Sequence, residues 1–378
     1  MRATFALGCL FVFSIVAFAQ PTPLPEAKPH HSYKLPEGAN FTATEVRIAR
    51  PGDHTQHKVS PDAKAAPEGD FEIAGELCLP KTGTGPWPAV FFISGSGTQD
   101  RHGYGLAGPG KYLDCGTWQV LDALAAAGFV VLRVDDRATG STPMGPSGVD
   151  AKEIGFQALV SDARFCLRWL QARPEVDKKR VFLIGHSEGG LTAPLLAAEE
   201  NSGVAGVVCM AGPGRNMFDI IYDQTEAAMK AQGLGGSALA ANLKVQRELM
   251  LATKEGREPD YSVVPKQIWN RADVVAGRKW MREHFNVDDA AMHKKLSCPV
   301  LVVNGLADFQ VNPEKDARAL AARLSQGKCN DVTLKLYDDL DHLFKPCNGK
   351  PSNMAMYFEK RDVDKAFIAD TLAWLQRH

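Results

Sequence analysis

Five short runs along the chain are apolar almost without interruption: AVFFI, FVVLRVD, RVFLIG, VAGVVCMA and PVLVVNG. Runs of this length, rich in Val, Ile, Leu and Phe, read as strands buried on both faces. Between the first four stand the helix-like segments WQVLDALAAAG, FQALVSDARFCLRWLQAR and LTAPLLAAEE. Strands alternating with helices predict a parallel sheet covered on both sides, because parallel neighbours need a crossover and the helix supplies it. Upstream, TATEVRIA and FEIAGELCLP are expected as shorter strands of an edge hairpin, and the Gly/Pro-rich KTGTGPWP as the turn into AVFFI. The alternation breaks between Pro213 and Leu296, where IIYDQTEAAMKAQG, ALAANLKVQRELMLATKEG and AGRKWMREHF are helical and more charged. We read this stretch, about 213–295, as a helical cap inserted between two core strands. The core resumes with PVLVVNGLAD and DVTLKLYDD, and VDKAFIADTLAWLQRH is a closing helix.

The first residues follow another pattern. Met1-Arg2 precedes a mostly apolar run from Ala3 to Phe18 that ends in Ala17-Phe18-Ala19, before Gln20 and the proline-rich PTPLPEAKP. A short positive start, an apolar centre and an A-x-A ending predict a cleavable secretory signal, too short for an ordinary spanning helix of about 20 apolar residues. The expected organisation is a signal peptide at 1–19, a proline-rich linker at 20–40 and one domain at 41–378. The expected location is secreted or periplasmic, with no stable membrane insertion after cleavage.

Composition adds limits. The 378 residues are 45% hydrophobic and 23% charged, with a formal net charge of −1. That balance offers no electrostatic reason for a nucleic-acid or anionic-membrane partner. Of the eight cysteines, Cys9 lies in the signal, and no CxxC pair suggests a metal site. Cys78, Cys166 and Cys209 sit in apolar stretches as small core residues. Cys115, Cys329 and Cys347 lie in loop-like contexts, where an oxidising compartment would permit one disulfide.

The chemistry starts at Gly185-His186-Ser187-Glu188-Gly189, a G-x-S-x-G sequence between VFLI and LTAPLLAA. A serine on a sharp strand-to-helix turn has its oxygen pushed out above the sheet, and the glycines let the backbone turn, so Ser187 is the expected nucleophile. Its hydroxyl needs a base within reach and an acid that orients the base. Asp308 follows PVLVVNG and His342 follows DVTLKLYDD, giving the chain order Ser, Asp, His. Asp135, Asp338, Asp339 and Asp341 are the alternative acids. His186 is expected to point elsewhere as a packing residue, and His284 and His293 to be solvated on the cap. An oxyanion also requires two backbone N–H donors. Glu188 is one; the other is expected in the loop Ser94 to Arg101, at Ser96, with Gly97 next. Asp100, Arg101 and Arg137 are expected to brace this region. Tyr222, Trp269, Trp280 and Phe285 are expected in the core of the cap more than along an acyl pocket.

Taken together, GSG-x-QDR at Gly95–Arg101, D-x-R-x-x-G-S at Asp135–Ser141, GHSEGG, G-x-x-D at Gly305–Asp308 and D-H at Asp341-His342 resemble the α/β-hydrolase superfamily. The likeness is to bacterial carboxylesterases related to serine-aminopeptidase-like (S33-type) hydrolases, from about Phe71 onward. It implies an α/β fold with an eight-stranded, mostly parallel sheet and serine-dependent acyl transfer to water, with no metal or organic cofactor. The implied partner is a small-molecule ester. Two departures stand out: Ala138 where such loops commonly have glycine, and Ser94-Gly95 where His-Gly is frequent. The same triad also suits a peptidase or amidase, acyl transfer to an alcohol, or a non-catalytic hydrolase-like binding protein.

Overall fold

The computed structural model describes residues 33–50, 71–108, 111–146 and 149–378. The expected signal peptide and the first part of the proline-rich linker lie outside the described residues. Among the described residues, ten strands and ten α-helices follow in order: β1 (Phe41–Arg50), β2 (Phe71–Pro80), β3 (Trp87–Ile93), β4 (Tyr104–Gly108), β5 (Lys111–Asp114), α1 (Thr117–Ala126), β6 (Val130–Val134), α2 (Phe156–Gln171), β7 (Val176–His186), α3 (Gly189–Ala197) and β8 (Gly206–Met210). Then come α4 (Met217–Ala231), α5 (Gly236–Glu255), the short α6 (Lys266–Trp269), α7 (Ala272–Phe285), α8 (Asp289–Lys295), β9 (Val300–Gly305), α9 (Arg318–Ser325), β10 (Val332–Tyr337) and α10 (Lys365–Arg377).

Eight strands form one sheet in the order β1-β2-β6-β3-β7-β8-β9-β10. The pairs β1/β2 and β2/β6 are antiparallel and the remaining five are parallel. This is the mostly parallel α/β-hydrolase sheet, and the physical reason lies in the side chains. The central runs are apolar at consecutive positions, so both faces need cover. On one face Phe92, Val131, Phe182, Ile184, Val208 and Val303 pack with Leu121 and Leu124 of α1 and with Phe367 and Trp374 of α10. Val181, Leu183 and Val207, at alternate positions, are equally buried. Each such side chain withdrawn from water contributes about 1.5–3 kcal/mol. Asp364 caps α10 by accepting the Phe367 N–H, which fixes where that covering helix begins.

The antiparallel ribbon β4/β5, between β3 and α1, has no signature in the apolar pattern of the chain. Its sequence, YGLAGPGKYLD, is glycine-rich and carries no strong alternation. The ribbon is specified from outside itself: Asp100 accepts the N–H groups of His102 and Tyr104 at 2.8 and 3.0 Å, and the buried Lys345 ammonium donates to the Asp114 carbonyl at 2.6 Å.

The described chain separates into a sheet unit and a helical unit, the latter made of residues 150–159 and 215–288. Within the helical unit, the Gln157 N–H donates to Glu283 at 2.7 Å, Lys279 donates to the Glu153 carbonyl at 2.8 Å, and Phe156 stacks on His284 with ring centroids 3.7 Å apart. The segment before α2 is thus structurally part of the insertion. His284 is fully buried between Phe156 and Trp280, against the expectation of solvation. Trp269, Trp280 and Phe285 are core residues of this unit. His293 is also buried, and it belongs to the sheet unit. No helix among the described residues is long and apolar enough to cross a membrane.

Candidate active site

β7 ends at His186 and α3 begins at Gly189, so Ser187 and Glu188 make the whole turn. Ser187 adopts φ 52°, a left-handed conformation that costs a non-glycine residue roughly 1–2 kcal/mol. The turn closes because its flanks lack side chains. A Cβ on Gly185 would strike the Gly189 carbonyl, one on Gly189 the Ile93 carbonyl, and one on Gly190 the Gly212 backbone at 2.6 Å. The Ser187 N–H donates to the Met210 carbonyl at 2.9 Å, anchoring the turn to the end of β8.

Asp308 stands three residues past β9, and its side chain is fully buried. One carboxylate oxygen, Oδ1, accepts the N–H groups of Gln310 and Val311 at 2.8 and 2.9 Å. The other, Oδ2, faces Nδ1 of His342 at 2.8 Å and the Asn304 amide at 3.4 Å. An oxygen surrounded by donors is an acceptor, so His342 carries its proton on Nδ1 and presents a bare Nε2. The Ala307 N–H donates to the Leu340 carbonyl at 3.1 Å, which ties the loop of Asp308 to that of His342.

Three of the four alternative acids are committed elsewhere, and the fourth is exposed. Asp341 accepts the N–H groups of Leu343 and Lys345 and pairs with Arg361 at 2.6 Å. Asp339 accepts the N–H groups of Asn348 and Gly349, and Asp338 is exposed. Asp135 holds Arg101 at 2.7 Å. The bracing expected of Asp100, Arg101 and Arg137 is present with other partners: Arg137 pairs with Asp162 at 2.5 Å, and Asp100 takes backbone N–H groups.

His186 does not point away. Its Nε2–H donates to the His342 carbonyl at 2.9 Å, and the two rings lie 4.8 Å apart. Burial, with the second imidazole beside it, pushes its pKa down to about 3, so it stays neutral and keeps that donor. His342 is thereby held at its ring by Asp308 and at its backbone by the residue preceding Ser187.

The glycine loop after β3 passes beside the nucleophile: a Cβ on Gly95 would lie 3.1 Å from the Ser187 Cβ and 3.3 Å from His186 Nδ1. Ser96 and Gly97 follow on this loop, and Gly97 has φ 94°. Glu188, directly after Ser187, occupies the N-cap position of α3 without a side-chain capping bond. Asp136 touches the loop as well, accepting the Ser94 hydroxyl at 2.6 Å and the Gln99 N–H at 2.8 Å. Desolvation raises its carboxyl to about 8; the hydrogen bonds from Ser94 and Gln99 oppose this, and the charges of Glu188 and Asp135 add to it. Ala138 has φ 58°, which explains why glycine suits that position. Sequence reasoning passed over Asp136 and Asn304. For Asn304 a signal existed: it is the one polar residue in the apolar run PVLVVNG.

All seven described cysteines are free thiols, and Cys115, Cys329 and Cys347 are buried.

A family model described as serine aminopeptidase, S33, matches residues 115–344, well over half of the chain. Esterase EstD of Thermotoga maritima is 30% identical over 303 residues, covering 80% of this chain. The match spans 65% of EstD's own length, just under two thirds. Among solved structures, the Pyrococcus furiosus esterase Pf2001 superposes with a TM-score of 0.53 at 14% identity, over 93% of this chain and 97% of its own. The hypothetical protein PA2218 of Pseudomonas aeruginosa gives 0.54 at 14% identity, over 91% and 96%. These two likenesses concern the fold alone. The matched family region holds the turn at Ser187 and the linked loops of Asp308 and His342, and the chain accordingly belongs to the serine aminopeptidase S33 family of the α/β-hydrolase superfamily.

Proposed function

We propose that this chain is an exported serine hydrolase that cleaves small carboxylic esters through an acyl-enzyme, with Ser187 as nucleophile, His342 as base and Asp308 as the orienting acid. The observation that carries the reading is the 2.8 Å contact from a buried Asp308 to Nδ1 of His342, whose carbonyl is held by the residue preceding a serine on a left-handed strand-to-helix turn. Nε2 of His342 takes the Ser187 proton as Oγ bonds to the acyl carbon. The carbonyl becomes an oxyanion, which accepts hydrogen bonds from the N–H groups of Glu188 and Ser96. His342 then gives its proton to the leaving alkoxide, and water repeats the two steps to free the acid. Asp308 stabilises the imidazolium between transfers.

Similarity to an esterase supports the ester as substrate. The family's description supports a second reading, a peptidase on the same triad. p-Nitrophenyl esters of increasing acyl length run beside amino-acyl p-nitroanilides separate the two. The expected result is ester turnover that falls by about 10⁴-fold or more in Ser187→Ala. Comparable anilide cleavage makes the chain a peptidase, and a fully active Ser187→Ala variant removes the mechanism. Export rests on the N-terminal pattern. The mature protein is expected to begin at Gln20, and N-terminal sequencing that finds Met1 refutes it.

A further inference from the structure

Asp136 lies two residues past β6, on the loop Asp135-Asp136-Arg137. Its two oxygens grip the segment after β3 at both ends, Oδ1 the Ser94 hydroxyl at 2.6 Å and Oδ2 the Gln99 N–H at 2.8 Å. The grip is reciprocal, for the Asp136 N–H donates to the Gln99 carbonyl at 3.0 Å. Between the two ends lie only Gly95, Ser96, Gly97 and Thr98. Two glycines in four residues leave such a segment with little conformational preference of its own. Its path is therefore set by how its ends are held, and that path runs 3.1 Å, measured to a Cβ built on Gly95, from the Ser187 Cβ.

We propose that Asp136 is a positioning residue for acyl transfer, a clamp that closes the loop Ser94–Gln99 and holds its backbone N–H donor where the oxyanion forms. This rests on the acyl-transfer reading of Ser187. An oxyanion donor acts only if it is already in place when charge develops, and misplacement by about 1 Å can cost on the order of 100-fold in rate. The donor strengthens as the carbonyl becomes an alkoxide, so loosening it lowers kcat and spares KM. Asp136 is held in turn: Asp135, the preceding residue, is engaged by Arg101 and by the Ser141 N–H, so the clamp stands on a rigid base.

The clamp needs an acceptor for Gln99 and a partner for Ser94, and a negative charge is not required. A neutral carboxyl or an amide at this position accepts the Gln99 N–H with its carbonyl oxygen and donates to the Ser94 hydroxyl, which then acts as acceptor. Burial, joined by the nearby charges of Glu188 and Asp135, disfavours ionised Asp136, and either form holds the loop.

The test compares Asp136→Ala, Asp136→Asn and Ser94→Ala with the unaltered chain on p-nitrophenyl butyrate, with thermal melting to verify folding. Asp136→Ala is expected to lose about 10- to 100-fold in kcat with KM within about threefold. Asn is expected to recover most of that loss, and Ser94→Ala, which frees one end, to lose several-fold. A trifluoromethyl ketone, which forms a tetrahedral adduct on serine, should lose affinity in proportion to kcat. A folded Asp136→Ala variant with unaltered kcat overturns the clamp, as does an Asn variant as impaired as Ala. If the Ala variant does not fold, Ser94→Ala decides, and unaltered kcat in that variant overturns the proposal. Ser187→Ala is run alongside. Should it retain turnover, the acyl-transfer reading fails and the clamp with it; should it be silent while Asp136→Ala is fully active, only the clamp fails.

Discussion

Replacing Asp308 by Asn tests the centre of the mechanism while keeping the shape of the side chain. Four N–H groups converge on the two oxygens of Asp308: Gln310 at 2.8 Å, Val311 at 2.9 Å, His342 Nδ1 at 2.8 Å and the Asn304 amide at 3.4 Å. An Asn offers one acceptor oxygen. The two backbone donors cannot move, so the oxygen turns to them and the new NH₂ faces His342. There N–H would meet N–H, and the imidazole escapes by shifting its proton from Nδ1 to Nε2. That tautomer cannot accept the Ser187 proton. The expected loss is about 10⁴-fold in kcat, the scale known for the equivalent change in serine proteases, or about 5.4 kcal/mol of transition-state stabilisation. The assay is kcat on p-nitrophenyl butyrate, with urea unfolding as the control for folding. A contrasting variant, Asp341→Asn, should keep kcat within tenfold and lose about 3 kcal/mol of stability, because the inward-facing Arg361 loses its 2.6 Å partner. A folded Asp308→Asn protein with kcat within tenfold of the unaltered chain refutes the reasoning.

Three further outcomes follow from burial and backbone geometry. His293 is buried, neither ring nitrogen has a hydrogen-bond partner among the described residues, and desolvation plus the nearby Arg323 lowers its pKa to about 4. The folded state then binds this proton less readily than the unfolded chain, so stability present above pH 6.5 is lost as pH falls toward 4, by up to roughly 3 kcal/mol. His293→Leu should flatten that decline in urea unfolding between pH 7.5 and pH 5; an unaltered slope counts against it. Ala138→Gly should raise stability by about 1 kcal/mol, since glycine adopts φ 58° without the Cβ cost, and a fall in melting temperature would contradict this. Gly189→Ala should lower stability by about 4 kcal/mol or more, because the new methyl would collide with the Ile93 and Ser94 carbonyls; a soluble variant melting within 2 °C of the unaltered chain would show the turn to be softer than its geometry.

Local patterns determined much of this protein. The buried strands are written as consecutive apolar residues, because a strand covered on both faces has no polar side to show. The turn at Ser187 was readable for a related reason: its geometry depends on glycines within four residues of the serine, so cause and effect lie in one short string. Chain order pointed to Asp308 with four other carboxylates left open, and tertiary structure decided which carboxylate meets His342. Asp341 is its neighbour in sequence, yet Arg361, 20 residues further on, takes Asp341 and leaves Asp308 to the imidazole. It likewise decided that His186 braces the His342 backbone, that His284 and His293 are buried, and that residues 150–159 join the helical insertion. The β4/β5 ribbon is of this kind too, since Asp100 and Lys345 hold it. Each of these facts rests on a hydrogen bond, an ion pair or a packing contact between residues distant along the chain. Periodicity reports the environment of one segment at a time; it carries no information about which polar group from elsewhere will fill a given place.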